Sequence, residues 1–423
     1  MANQRHTKEK EILMNTKGQA KVILTPYSWV NLSLVLMLLG LIQIWVLTFY
    51  YQTAINEWIS WIANDGNTGA PFAFGQHYFG DYLTMHNVSK SRDLSAFDNS
   101  YPPLGIIPFW LISGFPYRIG LLVWFVILSL SLLSPFLATF ARMDKERSVG
   151  AIIGLGAVTV PTISVFDRGN SVGLLTGLLF AFYFFGRQNK DWQAGLALGT
   201  EIGIKIYPLV MIPFLLVKGK YKQAIVALSS SIFLNLVSLL VWSKGNYLES
   251  IAYIIARIRE VEQAFPSGHG MYVSASQILI NILNKFGLAD STLGVLVTTN
   301  YQIVSLITLV TLIFFAKVSS GNYWYLYMLC SMQLIPSLSF SYYRVWIPVA
   351  IAVILWERGI KNTNPLTRFE NTWFLICVLK SSVLVLLFWW PINLLPTLGL
   401  IAIFLTYFDM RKSSRNRRED AEA

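Results

Sequence analysis

Ser28 to Tyr50 is an unbroken apolar run of about 23 residues, long enough as a helix to cross a hydrocarbon core of about 30 Å. That run limits the chain more than any other feature. In lipid only a helix or a closed barrel satisfies its own backbone. The run exceeds a signal-peptide core, and no small-residue cleavage site follows it. It therefore predicts an uncleaved anchor. Residues 1–27, with Arg5, Lys8, Lys10, Lys17 and Lys21, are then a cytoplasmic segment.

Comparable stretches recur at 117–140, 149–166, 171–186, 192–206, 208–217, 223–242, 293–316, 323–340, 345–356, 371–390 and 392–409. About twelve spans are predicted, and the segment 208–217 is too short to cross alone. Composition agrees: 54% of residues are hydrophobic, 13% are charged and the mean hydropathy is +0.52. A soluble domain carries about 25% charged residues. The expected fold is all-α, a polytopic transmembrane helical bundle. Cys330 and Cys377 both lie in apolar stretches and read as buried thiols, not as a disulfide framework.

Charge orders the spans. The net charge of +11 could suit nucleic acid, but the cations fall where a positive-inside bias puts them. About two thirds of the 33 Lys and Arg residues fall on one side, including Arg142, Arg187, Lys218, Arg358 and the tail 411–423. Both termini are then cytoplasmic, and a transmembrane unit occupies 28–410. Its first outer loop covers 51–116 and its second covers 243–291. Pro102 to Phe115, apolar and broken by proline, is expected to lie on the outer surface and not to span. The basic tail suits topology and anionic lipid.

The chemistry-bearing residues gather on the outer side. No Walker sequence, GxGxxG, HExxH or His/Cys cluster is present. That argues against a nucleotide-binding domain and points to no cofactor. The first outer loop contains Gly80-Asp81-Tyr82-Leu83-Thr84-Met85-His86 and closes with Tyr101-Pro102-Pro103-Leu104. A carboxylate held in a loop against a membrane can serve as a general base. Most loop aspartates, by contrast, are solvated or cap helices. Arg168 and Asn170 stand at one outer span end, Lys205 at another and Arg344 at a third, beside Tyr342. Cations at membrane level are costly unless paired, so they are candidates for function. Three of them facing one carboxylate would suit a phosphate leaving group and a base-activated nucleophile. Each also has a structural reading. Glu201 lies one turn before Lys205 and could pair with it. Asp167 could neutralise Arg168, and Arg344 could snorkel to headgroups. Lys380 lies inside a span and has no evident partner.

These residues resemble the motifs of glycosyltransferase family 87, polytopic enzymes of the GT-C class. The matching segments are Asp81-Tyr82, Tyr101-Pro102-Pro103-Leu104, Arg168-Gly169-Asn170-Ser171, and a Gly-rich helix running into Lys205-Ile206-Tyr207-Pro208. Ser274-Ala275-Ser276-Gln277 matches more loosely, and the likeness covers about 78–350. Family members often have histidine where this chain has Tyr342-Tyr343-Arg344. The resemblance implies a hexose, by default mannose, carried on a polyprenyl phosphate and transferred to a glycolipid or glycan at the outer face of a bacterial cell membrane. It implies Asp81 as the base. Arg168, Lys205 and Arg344 would then bind the donor phosphate, and Tyr82, His86, Tyr101, Asn170 and Tyr342 would line the substrate site. A lipid-linked donor needs no nucleotide fold, and one base suffices for an inverting displacement. A transporter or lipid flippase using Glu201, Lys205 and Lys380 is the competing reading. A non-catalytic assembly subunit is a third.

Overall fold

The structure, a computed structural model, describes residues 80–91, 101–140, 165, 168–242, 245, 247–264, 274–288, 290–319, 321–336, 346–358 and 370. Every regular element among them is helical. Helix α1 is Gly80–Ser91. A 3₁₀ turn, Pro103–Ile106, leads into α2, Ile107–Ser113. Then follow α3 (Tyr117–Phe140), α4 (Val172–Arg187) and α5 (Asp191–Ile204). A second 3₁₀ turn, Tyr207–Met211, leads into α6 (Ile212–Val217). The remainder are α7 (Tyr221–Trp242), α8 (Tyr247–Ala264), α9 (Ala275–Lys285), α10 (Thr292–Thr299), α11 (Tyr301–Val318), α12 (Trp324–Leu334) and α13 (Trp346–Arg358).

Three of these helices are long and apolar enough to cross a membrane: Tyr117–Thr139, Tyr221–Val241 and Tyr301–Val318. Their outward faces carry Leu122, Leu130, Ile225, Phe233, Leu240, Leu306 and Val310, all exposed. A soluble monomer does not leave apolar faces of this extent to water. The chain is a membrane protein.

The expected boundaries hold for α3, α7 and α13, and two are corrected. The single span expected over 293–316 is two helices that part at Asn300, whose backbone leaves the helical region at φ −125° and ψ 46°. There the Asn300 amide donates to the Leu296 carbonyl at 3.2 Å and to Thr299 Oγ1 at 2.9 Å. Such local side-chain bonds compete with the helical ladder. The span expected over 323–340 stops as a helix at Leu334, two residues before Pro336, because proline has no N–H to donate to the carbonyl four residues back and so cannot continue the ladder. Helices α4, α5 and α12 have 16, 14 and 11 residues, short of the roughly 20 a full crossing needs. Expected spans 28–50, 371–390 and 392–409, and all of 149–166 except Val165, lie outside the described residues, as does Lys380.

Small residues bring the central helices together. Along α5, Gly195, Gly199 and Gly203 recur every fourth residue on the face turned to α7. A Cβ on Gly199 would stand 2.4 Å from the Ala227 carbonyl oxygen, and one on Gly195 would stand 2.6 Å from Val226 Cβ. Helix α4 repeats the device against α3 with Gly173 and Gly177, where a Cβ on Gly177 would meet Ser131 Oγ at 2.7 Å. Without a hydrophobic drive between helices in lipid, this backbone approach supplies dispersion contact and short polar contacts. Ser131 Oγ accordingly accepts from the Gly177 N–H at 3.1 Å and donates to the Leu174 carbonyl at 3.0 Å.

At the C-terminal end of α4, Glu357 Oε1 gathers three donors: Arg187 Nε at 2.7 Å, Tyr183 Oη at 2.5 Å and Asn322 Nδ2 at 2.9 Å. They tie α4, α13 and the segment before α12 into one end of the bundle. Glu201 differs. It is fully buried on α5, and neither carboxylate oxygen has a hydrogen-bond partner.

Two outcomes follow from this packing. Gly199→Ala forces α5 off α7 and should lower stability by about 1–3 kcal/mol. Glu201→Met removes an unpartnered buried carboxylate at similar length, so it should leave stability equal or raise it by about 1–3 kcal/mol. Unfolding of purified protein in one detergent, followed by heating, reads both. A stabilised Gly199→Ala or a strongly destabilised Glu201→Met would contradict this account.

Candidate functional site

The site begins at a left-handed turn. Gly169 has φ +65°, a region open to glycine at little cost, and its carbonyl accepts the indole N–H of buried Trp124 at 2.7 Å. The turn delivers Asn170 to the start of α4. Asn170 Oδ1 accepts the Val172 backbone N–H at 2.9 Å, satisfying one of the free donors of a helix start. With its oxygen occupied, the amide is oriented, and Nδ2 donates to Asp81 Oδ2 at 2.6 Å.

Asp81 stands in the first turn of α1. The segment between the first spans, where the sequence places it, was expected to carry surface helices, and here it is helical. The same Oδ2 lies 3.6 Å from Arg168 Nη1, and the two side chains are 24% and 8% exposed. Both protein contacts thus fall on one oxygen. Among the described residues Oδ1 has no partner, on a carboxylate still about a quarter open to solvent. Asp81, on a distant segment, is an ionic partner of Arg168. Asp167 lies outside the described residues.

Lys205 reaches the same place from the other side. Helix α5 stops at Ile204, and Lys205 takes extended backbone, φ −143° and ψ 130°. Its N–H still closes the helix on the Glu201 carbonyl at 2.9 Å, but its side chain leaves the Glu201 face. The expected one-turn pair with Glu201 does not form. The ammonium instead lies over the Tyr101 ring, 3.2 Å from its centroid. There it is attracted by Asp81 and repelled by Arg168.

The Tyr-Pro-Pro-Leu segment explains how Tyr101 holds still. Proline sets the backbone ahead of the 3₁₀ turn. Leu104 donates its N–H to Asn235 Oδ1 on α7 at 3.1 Å. A Cβ on Gly203 would meet Leu104 Cδ2 at 2.6 Å, so glycine there makes the notch that Leu104 fills. A Cβ on Gly105 would meet the Ile204 carbonyl oxygen at 2.7 Å and the Tyr101 ring at 3.1 Å. The turn is therefore clamped between the end of α5 and the middle of α7.

Tyr82 and His86 lie behind this front. Tyr82 is fully buried among His86, Phe109, Tyr117 and Trp124, with ring centroids 5.5–6.4 Å away. Burial, with Tyr117 beside it, pushes its phenol up to about 12. His86 is 4% exposed, neither ring nitrogen has a hydrogen-bond partner, and it meets Tyr117 edge-on. Both lie buried in one aromatic cluster with Phe109, Tyr117 and Trp124. Tyr342 and Arg344 lie outside the described residues.

Trp124, Asn235 and Gly105 support the site but do not stand out in the sequence. Asn235 carries the one readable signal, an amide inside an apolar 22-residue helix, which needs a partner in lipid. Chemically the arrangement offers an open carboxylate oxygen, two cations beside it and aromatic surface. It can accept a proton while stabilising negative charge on a neighbouring group.

Exchanging Tyr101 for leucine keeps the bulk and removes the ring face. Tyr101→Leu should cost about 1–2 kcal/mol of stability through the lost cation–π contact, and Tyr101→Phe should retain the larger part. Detergent melting of both variants tests this; equal losses would show that Lys205 does not use the ring.

A model of glycosyltransferase family 87 matches residues 99–341, more than half of the chain. No curated protein and no solved structure matches it.

Proposed function

The chain belongs to glycosyltransferase family 87 and is a membrane glycosyltransferase, and from that premise we propose that its donor is a hexose on a polyprenyl phosphate, its acceptor a glycolipid or glycan, and its base Asp81. The observation that carries this reading is the division of labour at Asp81. Asn170 and Arg168 hold Oδ2, while Oδ1 has no partner among the described residues and Lys205 lies within electrostatic reach of the carboxylate.

In the reaction, the acceptor O–H gives its proton to Asp81 as its oxygen attacks C1 of the donor sugar. The bond from C1 to the phosphate oxygen breaks, and the electron pair leaves with the polyprenyl phosphate. Arg168 and Lys205 stabilise that leaving group. Arg168 pairs with Asp81, and Lys205 rests on Tyr101. An arriving phosphate competes for both cations and frees the carboxylate for its acceptor. An inverting displacement needs this one base and no second carboxylate. Arg344 completes the phosphate site, and Tyr101 and Tyr342 flank the sugar. Mannose is the hexose that the family likeness favours. By family likeness the enzyme belongs to the inner membrane of a bacterial cell; both termini are cytoplasmic and the reaction is on the outer face, an orientation supported by the distribution of Lys and Arg.

Transfer by full-length protein in proteoliposomes tests the proposal, with labelled sugars on polyprenyl phosphate and a crude membrane lipid extract as acceptor. Asp81→Asn should bind donor as the wild type does and lose about 10²–10⁴ in rate. Lys205→Gln should weaken donor binding. Wild-type transfer by Asp81→Asn would refute the assignment of the base.

A further inference from the structure

A cavity of about 390 Å³ opens between the C-terminal half of α1 and α2, lined by Ser89, Lys90, Trp110, Leu111, Ser113 and Gly114. Its size falls within the roughly 300–1,000 Å³ of small-ligand sites. Nothing in the proposed reaction uses it. Ser89 is fully buried, and its hydroxyl has no hydrogen-bond partner. A buried hydroxyl without a partner is costly, and a ligand group in the cavity would relieve it. Lys90 is exposed at the mouth. Ser113 Oγ donates to the Trp110 carbonyl at 2.8 Å, which leaves its lone pairs free to accept. Trp110 is half-buried and contributes an aromatic wall.

We infer that this cavity is a saccharide subsite for the acceptor, holding a sugar ring further along the glycan than the ring that reacts. The wall and the polar atoms match the two sides of a pyranose. Its C–H face packs on an indole, while its hydroxyls meet the Ser89 and Ser113 oxygens and the Lys90 ammonium. A phospholipid phosphate would find one flexible ammonium there and leave the aromatic wall unused. Position adds to the match. Ser89 and Asp81 share α1, and the helix rise separates them by about 12 Å. One sugar ring does not bridge that distance, so the subsite reads a glycan of more than one unit. The inference rests on Asp81 marking the reaction centre.

Gly114 permits a test that leaves the fold alone. Its backbone is ordinary helical, φ −69° and ψ −17°, and a Cβ there would meet nothing within 4 Å. Gly114→Ala, Gly114→Leu and Gly114→Trp therefore add bulk in steps at a residue that lines the cavity, from a Cβ that meets no neighbour. The assay uses full-length protein in proteoliposomes of fixed phospholipid composition. A crude membrane lipid extract serves as acceptor, and donor binding is measured in parallel. The extract concentration at half-maximal rate should rise with side-chain size, by roughly tenfold or more for Gly114→Leu. Donor binding and the rate at saturating extract should hold. No rise with any variant overturns the subsite. Equal weakening of donor binding also overturns it and gives the cavity to the donor. A rise that depends on vesicle phospholipid at constant extract overturns it in favour of a headgroup site. Asp81→Asn, assayed alongside, reports on the reaction centre separately. Its full activity would remove the Asp81 reading on which the subsite rests. A flat Gly114 series beside an inactive Asp81→Asn removes the subsite alone.

Discussion

The close approach of α5 to α7 governs everything around the site. It rests on three glycines spaced one turn apart, and a single Cβ at Gly199 would collide with backbone on α7. Its last glycine, Gly203, stands one residue before α5 ends at Ile204, and Lys205 is the residue that follows. The approach sets the Gly203 notch into which Leu104 fits, and so the seat of the 3₁₀ turn that presents Tyr101. In lipid, apolar side chains gain little by leaving the bilayer for a neighbouring helix. Backbone proximity and the polar contacts it permits do this work instead.

The second organising feature is the distribution of charge. Asp81 and Arg168 neutralise each other at 3.6 Å, and Lys205 rests on an aromatic face, so neither cation stands bare. These arrangements are weaker than contact with a phosphate group, since an aromatic face or a loose pair offers fewer charge-assisted hydrogen bonds. Glu201 shows the contrasting case of a buried carboxylate without a partner. The polar cluster at Glu357 shows the other extreme, one acceptor oxygen shared by three donors that join three parts of the bundle.

Much of the fold was legible. Long apolar runs predicted α3, α7 and α13 because residue count and hydropathy decide what crosses lipid. Residue count failed where side chains compete with the backbone, as at Asn300, and where proline stops a helix, as before Pro336. Asp81, Arg168, Asn170, Lys205 and Tyr101 were each singled out, and the structure brings them together. Their pairings were not legible. Spacing of one helical turn suggested Glu201 for Lys205, but that rule presumes a continuing helix, and α5 ends at Ile204.

By itself the sequence determined the class: a helical membrane protein without a nucleotide-binding motif, with an aspartate segment, a Tyr-Pro-Pro-Leu turn and cations at helix ends. Those are properties of local composition and order, which hydropathy and dihedral preference act on directly. Only the tertiary structure decided which oxygen of Asp81 is held and which is open. It also decided that Asn170 faces Asp81 with its nitrogen, that Lys205 lies on Tyr101, and that Ser89 floors a cavity beside Trp110. Each of these depends on groups tens of residues or more apart along the chain or on a choice between the two ends of one side chain. Such choices are made by packing and hydrogen-bond satisfaction, which act through space and leave no local pattern in the sequence.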